Sequence, residues 1–285
     1  MELVTPKLFD VPFVSHDAGV LAGAVVLRPC TAVDRLVPIQ GEPSPIAERA
    51  IQQHEILVRT LRDRGVVVTV LEPTSGTPAE TLVGDTAIVV PQGAILTRLS
   101  VVERRAETGV IETALTDLGI PIVGRIVAPG LLDAADIAVA GETLYVGVPL
   151  AGAGLRARSN ALGRAQLATL AAAGGMRMVE VPLAPTVLRL RNVLSFVARD
   201  TAVVAPERLD VSALAGLQLI ELPLGEEYAA GVLALGERRI IANLRFRESL
   251  ARLRKAKIAV EAIDLWEFGK VGAGPFSLVL ATKRR

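Results

Sequence analysis

The feature that most constrains this chain is a repeated order of segments, in which a helix ending at a glycine precedes a strand and a hairpin. The glycines are Gly65, Gly119, Gly175 and Gly216, at intervals of 54, 56 and 41 residues. Self-similarity at such a period is typical of propellers and solenoids. Five units of strand, strand, helix and strand, with the first and last strands paired, would close a ring without open sheet edges. The alternative at this point is an ordinary mixed α/β domain, which also alternates helices and strands.

The first unit begins with an amphipathic helix predicted over residues 43–65, where apolar side chains recur at helical spacing. Residues 66–73 predict a buried strand, and residues 86–100 predict a hairpin. The last hairpin, residues 271–283, is expected to pair with residues 23–29. The turns of the four internal hairpins are predicted at Pro91–Gly93, Gly141–Glu142, Arg199–Asp200 and Gly236–Glu237.

Composition excludes several classes of function. The formal net charge is +1, from 31 basic and 30 acidic side chains, and aromatic residues make up only 3%. We therefore expect no nucleic-acid surface and no anionic-membrane surface. One cysteine and two histidines are too few for a disulfide framework or a Cys/His zinc site, so no metal and no cofactor is expected.

The sequence carries no targeting signal that we identify. Its N-terminus lacks a basic region followed by an apolar run, so it does not resemble a signal peptide. Charged residues, glycines and prolines interrupt the apolar stretches well short of the length that spans a membrane. A cytoplasmic protein without membrane contact is therefore expected. The oligomeric state has no signature in the sequence.

Three side chains of types that often carry chemistry are given structural roles here. His16 lies in the N-terminal segment, and His54 is expected on the solvent-facing side of the first helix. Cys30 follows Arg28 and Pro29 at the end of a strand, where we expect a buried structural thiol, because a free cysteine usually behaves as a small apolar residue.

The last hairpin carries the most specific motif. In residues 266–278 the pair Glu267 and Lys270 forms a Glu-x-x-Lys run, which a Gly-rich turn follows. This segment resembles the C-terminal segment of dimethylarginine dimethylaminohydrolases, where such a run and turn precede the nucleophilic cysteine. Five further motifs resemble segments of that family in the same order, and they are Leu82–Ala87, Arg104–Glu107, Leu132–Asp136, Arg158–Asn160 and Leu188–Arg191.

The resemblance runs from about Arg28 to Leu280, nearly the whole chain. It implies an α/β fold, the five-bladed αβ-propeller known as the pentein, with pseudo-fivefold ββαβ repeats and an active site at the centre of the ring. The same fold serves arginine deiminases and amidinotransferases. Residues 1–285 are then expected to form a single domain, with residues 1–20 as an N-terminal extension and a small amino-acid-like or anionic molecule as the ligand of the central pocket.

The resemblance also implies which positions carry the chemistry, and two of them are substituted. Ser277 stands at the position of the nucleophilic cysteine, although an alignment shifted by one residue would put Phe276 there. Arg189 stands at the position of the catalytic histidine, and Asp133 matches the acidic partner of that histidine. A serine hydroxyl is a weak nucleophile without an adjacent base, and a guanidinium stays protonated at physiological pH.

The positions that the resemblance assigns to substrate binding are mixed, some preserved and some substituted. Asp85 matches the aspartate that binds the guanidinium group, and Asp136 closes the acidic turn that begins at Asp133. Arg104 and Arg158 match the arginines that hold the α-carboxylate of the substrate. Gly84 replaces an acidic residue beside Asp85, so the matched site has lost negative charge and gained a cation.

Three hypotheses follow from these substitutions. In the first, the chain is a catalytically inactive relative in which Arg189 pairs with Asp133 or Asp85 and fills the former pocket. In the second, Arg104, Arg158 and Arg189 bind a small anionic ligand, because arginine donors suit carboxylate and phosphate groups. In the third, the chain remains an active hydrolase of guanidino groups through a non-standard mechanism.

Overall fold

The computed structural model describes residues 12–39, 41–74, 76–149 and 158–285, so residues 1–11 of the expected N-terminal extension lie outside the description. The strands in these ranges are β1 (Leu21–Leu27), β2 (Val67–Leu71), β3 (Ala87–Val90), β4 (Gly93–Leu96), β5 (Ile122–Arg125), β6 (Ile137–Ala140), β7 (Thr143–Pro149), β8 (Arg177–Leu183), β9 (Leu194–Ala198), β10 (Thr201–Val204), β11 (Gln218–Glu221), β12 (Leu233–Gly236), β13 (Arg239–Asn243), β14 (Ala259–Ile263) and β15 (Leu280–Arg284). The α-helices in the same ranges are α1 (Ala47–Asp63), α2 (Glu107–Asp117), α3 (Ala161–Ala173), α4 (Arg247–Lys255) and α5 (Trp266–Gly269).

The described strands form five three-stranded sheets with one plan: β15-β1-β2, β3-β4-β5, β6-β7-β8, β9-β10-β11 and β12-β13-β14. In each sheet the first two strands pair antiparallel and the last two pair parallel. Helices α1, α2, α3 and α4 make the parallel crossover in four sheets, and the 3₁₀ turn Val211–Leu214 makes it in the β9-β10-β11 sheet. The predicted five ββαβ units of an αβ-propeller are therefore confirmed.

Ring closure follows from the pairing of the two chain ends. Strand β1 pairs antiparallel with β15, with Val25 opposite Leu280. This pairing confirms the expectation that the last hairpin meets the N-terminal strand. Three of the four internal hairpins turn at the predicted residues, and the fourth turns at Glu237 and Arg238, one residue later than predicted. Gly236 shows why one of those turns needs glycine, since its φ is +97° and a Cβ there would lie 2.4 Å from Cα of Val20.

The innermost and outermost strands differ in burial. All residues of the inner strands β3 and β12 are buried, whereas the outer strand β2 is half-exposed along its length. Val67 in β2 is 73% exposed, so the prediction of a buried strand over residues 66–73 is wrong. The reason is position, because β2 lies at the outer edge of its sheet and pairs with β1 on one side only.

Among the described residues the apolar core is divided into five clusters, one under the crossover of each unit. Each crossover contributes apolar side chains to its own cluster: Leu57 and Leu61 from α1, Ile111 and Leu115 from α2, Leu167 and Ala171 from α3, Leu250 and Leu253 from α4, and Leu214 from the 3₁₀ turn. Because every unit buries its own apolar surface, polar groups can collect around the axis of the ring.

Two expectations about single side chains are wrong. His54 is 1% exposed and lies on the buried side of α1, in line with Ala50, Leu57 and Leu61. Burial, and to a lesser extent the nearby charge of Arg28, lowers the pKa of His54 to about 4, so this imidazole is neutral near pH 7. Cys30 is partly exposed rather than buried. No helix within the described ranges is long and apolar enough to cross a membrane.

Candidate active site

Short 3₁₀ turns precede the inner strands and converge around the axis at one end of the ring. The five turns are Val83–Asp85, Ala134–Asp136, Leu190–Asn192, Glu227–Ala230 and Pro275–Leu278. Contacts link the first turn to the second and the last, and the third to the second and the fourth. Five site residues predicted from the sequence lie in or directly before these turns, and they are Asp85, Asp133, Asp136, Arg189 and Ser277.

The Arg189 guanidinium bridges two carboxylates at the centre of this arrangement. Its Nη2 lies 2.9 Å from Oδ2 of Asp85, and its Nε lies 3.3 Å from Oδ2 of Asp133. All three side chains are buried, with 4% of Arg189, 0% of Asp85 and 1% of Asp133 exposed. The other carboxylate oxygen of Asp133 accepts a hydrogen bond from the backbone N–H of Ala135, which fixes the orientation of that carboxylate.

Arg104 extends the same cluster on the other side of Asp85. Its Nη1 lies 2.9 Å from the same Oδ2 of Asp85, while its Nε and Nη2 donate to the carboxylate of Glu107 at 2.9–3.1 Å. The five groups alternate in charge in the order Glu107, Arg104, Asp85, Arg189 and Asp133. We call these five residues the ion-pair chain.

Both arginines of the ion-pair chain are held in the charged form. Burial alone would lower the pKa of Arg104, but the charges of Asp85 and Glu107 outweigh burial and raise it above its ordinary value. The pKa of Arg189 is also raised, because the charges of Asp85 and Asp133 outweigh burial. Neither guanidinium is therefore able to accept a proton at physiological pH.

Asp136 ties the turn after Arg189 to the neighbouring unit. Its carboxylate accepts a 2.5 Å hydrogen bond from Oγ of Ser159 and a 3.3 Å bond from the backbone N–H of Leu190. Burial, followed by repulsion from Asp133, raises the pKa of Asp136 to about 7. Asp136 thus positions the backbone next to Arg189.

Arg158 differs from the two arginines of the ion-pair chain. It is partly exposed, and it forms no ion pair with any residue of the described ranges. Burial and then repulsion from Arg189 lower its pKa, while Asp133 and Asp85 act in the opposite direction, so Arg158 lies near the ion-pair chain. Among the three arginines of this site, Arg158 is the one without a carboxylate partner in the described residues.

Ser277 is fully buried, and its Oγ has no hydrogen-bond partner in the described part of the protein. No base among the described residues is therefore hydrogen-bonded to this hydroxyl. The turn that carries Ser277 packs directly on Gly84, where a Cβ would lie 2.2 Å from the carbonyl oxygen of Phe276 and 3.1 Å from Cα of Ser277. The turn that contains Gly84 and the turn that contains Ser277 are therefore in close contact, and this contact requires glycine at position 84.

Sequence reasoning gave no role to Glu107 or Ser159, although both lie inside the motifs it identified. Glu107 binds Arg104 and begins helix α2. The spacing of these two residues by three positions at a helix start is a signal for such a pair. Ser159 donates to Asp136, and the sequence gives no signal for this contact because the partner is 23 residues away. No group of three or more potential metal ligands occurs among the described residues.

Known proteins resemble this chain in sequence and in fold. No family model matches the chain. It is 31% identical over 232 residues to the N(G),N(G)-dimethylarginine dimethylaminohydrolase of Pseudomonas aeruginosa, covering 81% of this chain and 87% of that relative. The enzyme of the same name from Streptomyces coelicolor is 29% identical over 222 residues, covering 78% and 81% of the two chains. A solved structure of the Pseudomonas aeruginosa enzyme, a cysteine-to-serine mutant complexed with citrulline, matches with a TM-score of 0.82 and 26% identity over 92% of this chain and 99% of that one.

Proposed function

The chain belongs to the dimethylarginine dimethylaminohydrolase family, within the guanidino-modifying pentein superfamily, and from this premise we propose that it is a catalytically inactive member. In this proposal the guanidinium of Arg189 occupies the position where relatives hold the guanidinium of a substrate. The protein keeps the fold of the family and uses the former active site as an internal ion-pair network.

The observation that carries the proposal is the bridge from Arg189 to Asp85 at 2.9 Å and to Asp133 at 3.3 Å. The family resemblance assigns guanidinium binding to Asp85, and Asp85 is already shared between Arg189 and Arg104. A second guanidinium about 4 Å from Arg189 would be repelled by roughly 4 kcal/mol at an effective dielectric constant of 20. Arginine-like cations are therefore expected to bind poorly.

The nucleophile and the proton-transfer group that the family reaction requires are also substituted in this chain. Hydrolysis of a guanidinium requires a strong nucleophile and a group that takes and returns a proton. Ser277 is buried without a hydrogen-bonded base in the described residues, and Arg189 is kept protonated by Asp85 and Asp133. The Ser277 hydroxyl is therefore not activated for nucleophilic attack, and the Arg189 guanidinium does not take up a proton. Both points support the proposal that the protein is inactive.

An assay for ureido products tests this proposal. The purified protein is incubated with dimethylarginine and, separately, with arginine, and citrulline is measured beside Ser277→Ala. We expect no citrulline above the level of the Ser277→Ala control. Citrulline formation that disappears in Ser277→Ala would favour an active hydrolase with a non-standard mechanism and overturn the proposal.

Restoration of the family residues sharpens this assay. The double variant Ser277→Cys, Arg189→His releases Asp85 and Asp133 from Arg189 and supplies a thiol and an imidazole. Citrulline formation by this variant, with none by the parent protein, would assign the loss of activity to these two positions. The single variant Ser277→Cys serves as the matched control, because it keeps Arg189 between the two carboxylates.

Arg158 supports a second candidate function, the binding of a small amino-acid-like or anionic molecule. Its guanidinium is partly exposed and unpaired within the described ranges, whereas Arg104 and Arg189 are already bonded to carboxylates. Thermal melting with a panel of dicarboxylates and phosphorylated metabolites tests this candidate. A shift that Arg158→Ala abolishes and that the exposed-residue control Arg177→Ala retains would support it, and the absence of any shift would refute it.

A further inference from the structure

A second polar cluster lies inside the ring, around a cavity of about 60 Å³. The inner strands β3, β6, β12 and β15 supply a largely apolar wall. Three charged side chains also line the cavity: Asp17 from the N-terminal segment, Arg191 from the 3₁₀ turn before β9, and Arg284 from the end of β15. We call these three residues the axial cluster.

Arg284 is almost completely buried and is held in place by carbonyl groups rather than by a carboxylate. It is 3% exposed, and its Nη1 donates to the carbonyl oxygens of Gly19 and Ala234, each at 2.8 Å. Its buried Nε has no hydrogen-bond partner in the described residues. Carbonyl dipoles orient the guanidinium but do not neutralise its charge.

Arg191 binds the single carboxylate of the axial cluster. Its Nη1 lies 2.7 Å from Oδ2 of Asp17, and that oxygen also accepts a 3.0 Å bond from the backbone N–H of Val139. The Arg191 guanidinium carbon lies 5.3 Å from the centre of the Phe276 ring, within cation–π distance. Its buried Nε, like that of Arg284, is unpaired in the described part of the chain.

The charges of the axial cluster do not balance. Two guanidinium groups face one carboxylate, which leaves one positive charge in excess. His16 adjoins the cluster, but its Nδ1 accepts a hydrogen bond from the backbone N–H of Ala18, and burial lowers its pKa. Burial also lowers the pKa of Arg284 to about 10, since the attraction of Asp17 does not offset it. A buried charge without a partner is costly, so the cluster favours a negative ligand.

We propose that the axial cavity binds one small monovalent anion of halide or formate size between the guanidinium groups of Arg191 and Arg284. A single negative charge neutralises the cluster, and the guanidinium groups of the two arginines that line the cavity supply N–H donors for the anion. The volume holds only a few water-sized groups, so larger carboxylates and phosphate esters do not fit. This site is separate from Arg158, and it is independent of the proposed loss of catalysis.

Thermal melting at constant ionic strength tests the site, with sodium gluconate replaced stepwise by sodium bromide or sodium formate. We expect a saturable rise in Tm, roughly 3–6 °C at ten times the Kd. The variant Arg284→Met removes the excess charge while keeping a long side chain, and should abolish the rise. The variant Arg177→Met changes an exposed arginine and should retain it. The proposal is overturned if the wild-type protein shows no saturable rise, or if the rise survives in Arg284→Met.

Diffraction from wild-type crystals grown in sodium bromide supplies a readout that needs no variant. Data collected above the bromine absorption edge should show an anomalous peak in the cavity between Arg191 and Arg284. If Arg284→Met fails to fold, this peak decides the question. A cavity without anomalous density in crystals that show bromide elsewhere on the surface would contradict the proposal.

Discussion

The ion-pair chain and the axial cluster are two buried groups of arginines in one ring, and they differ in the number of carboxylates that each arginine meets. In the ion-pair chain two arginines lie among three carboxylates. In the axial cluster two arginines share Asp17 alone. The pKa of Arg189 is raised and that of Arg284 is lowered to about 10, although both side chains are almost fully buried.

The comparison teaches that burial alone does not decide what a guanidinium does inside a protein. A buried cation whose charge is neutralised by carboxylates leaves no charge for a ligand. Removal of one member of such a pair leaves the other buried without a partner, which is destabilising. A buried cation whose charge is not neutralised by a carboxylate keeps an affinity for anions. In our proposals, the ion-pair chain is therefore an internal support and the axial cluster is a binding site for an anion.

The largest expected effect comes from breaking the ion-pair chain. Arg189→Met leaves the carboxylate of Asp133 buried without its cationic partner, and we expect the free energy of unfolding to fall by about 3–5 kcal/mol. The matched change Arg284→Met loses two hydrogen bonds to carbonyl groups but also removes an excess charge, so its loss should be about 1–2 kcal/mol. Urea denaturation of both variants measures the difference. Equal losses would contradict the distinction between the two regions.

Gly84 lies at the boundary of the two regions, since it precedes Asp85 and also lines the axial cavity. A Cβ in Gly84→Ala would overlap the carbonyl oxygen of Phe276, so we expect a loss of about 1–3 kcal/mol in the free energy of unfolding. Gly109→Ala is the control, because its Cβ meets no atom within 4 Å and alanine favours helix α2 by up to about 1 kcal/mol. A harmless Gly84→Ala would show that the two turns are not in close contact.

The last expected effect is a change per pH unit rather than a fixed loss of stability, and it concerns the proton on Asp136. An aspartate whose pKa is raised to about 7 in the folded protein, from about 3.9 in the unfolded chain, contributes stability that is lost as the pH rises through 7. Asp136→Asn removes that dependence. Between pH 4 and 7 the free energy of unfolding should therefore rise in the variant relative to wild type, by at most ~1.4 kcal/mol per pH unit.

The difference in the free energy of unfolding between Asp136→Asn and wild type reports on Asp136 and not on other titrating groups. His54 contributes in the opposite sense, because its pKa is lowered to about 4 and its stability contribution is lost as the pH falls from about 6.5. That contribution is common to wild type and variant and cancels in the comparison. Parallel stability curves for the two proteins from pH 4 to 7 would mean that Asp136 is ionised throughout.

The sequence predicts the fold well because its signals are local. Glycines follow helices α1, α2 and α3 and the 3₁₀ turn Val211–Leu214, and short turns separate the strands of the four internal hairpins, so each unit can be identified within about fifty residues. Burial is predicted less well, since it depends on the position of a strand in its sheet. Val67 and His54 show both errors, because an apolar residue is exposed at the outer edge and a polar one is buried under a helix.

The buried polar residues likewise fall into those that the sequence predicts and those that it does not. Motif resemblance gathers Asp85, Asp133, Arg189 and Ser277, and the structure has all four in or next to adjacent turns. The axial cluster has no such signal, because Asp17, Arg191 and Arg284 are separated by 174 and 93 residues and meet only when the ring closes. Contacts that closure creates are visible only in three dimensions.

The most direct test of the central claim is the rescue of Arg189→Ala by free guanidinium. If Arg189 occupies a guanidinium site between Asp85 and Asp133, its truncation opens a position that guanidinium ion fills. Millimolar guanidinium chloride should raise the Tm of Arg189→Ala in a saturable manner, relative to sodium chloride at the same concentration, and should not raise that of the wild-type protein. The same response in both proteins, or none in Arg189→Ala, would contradict the account.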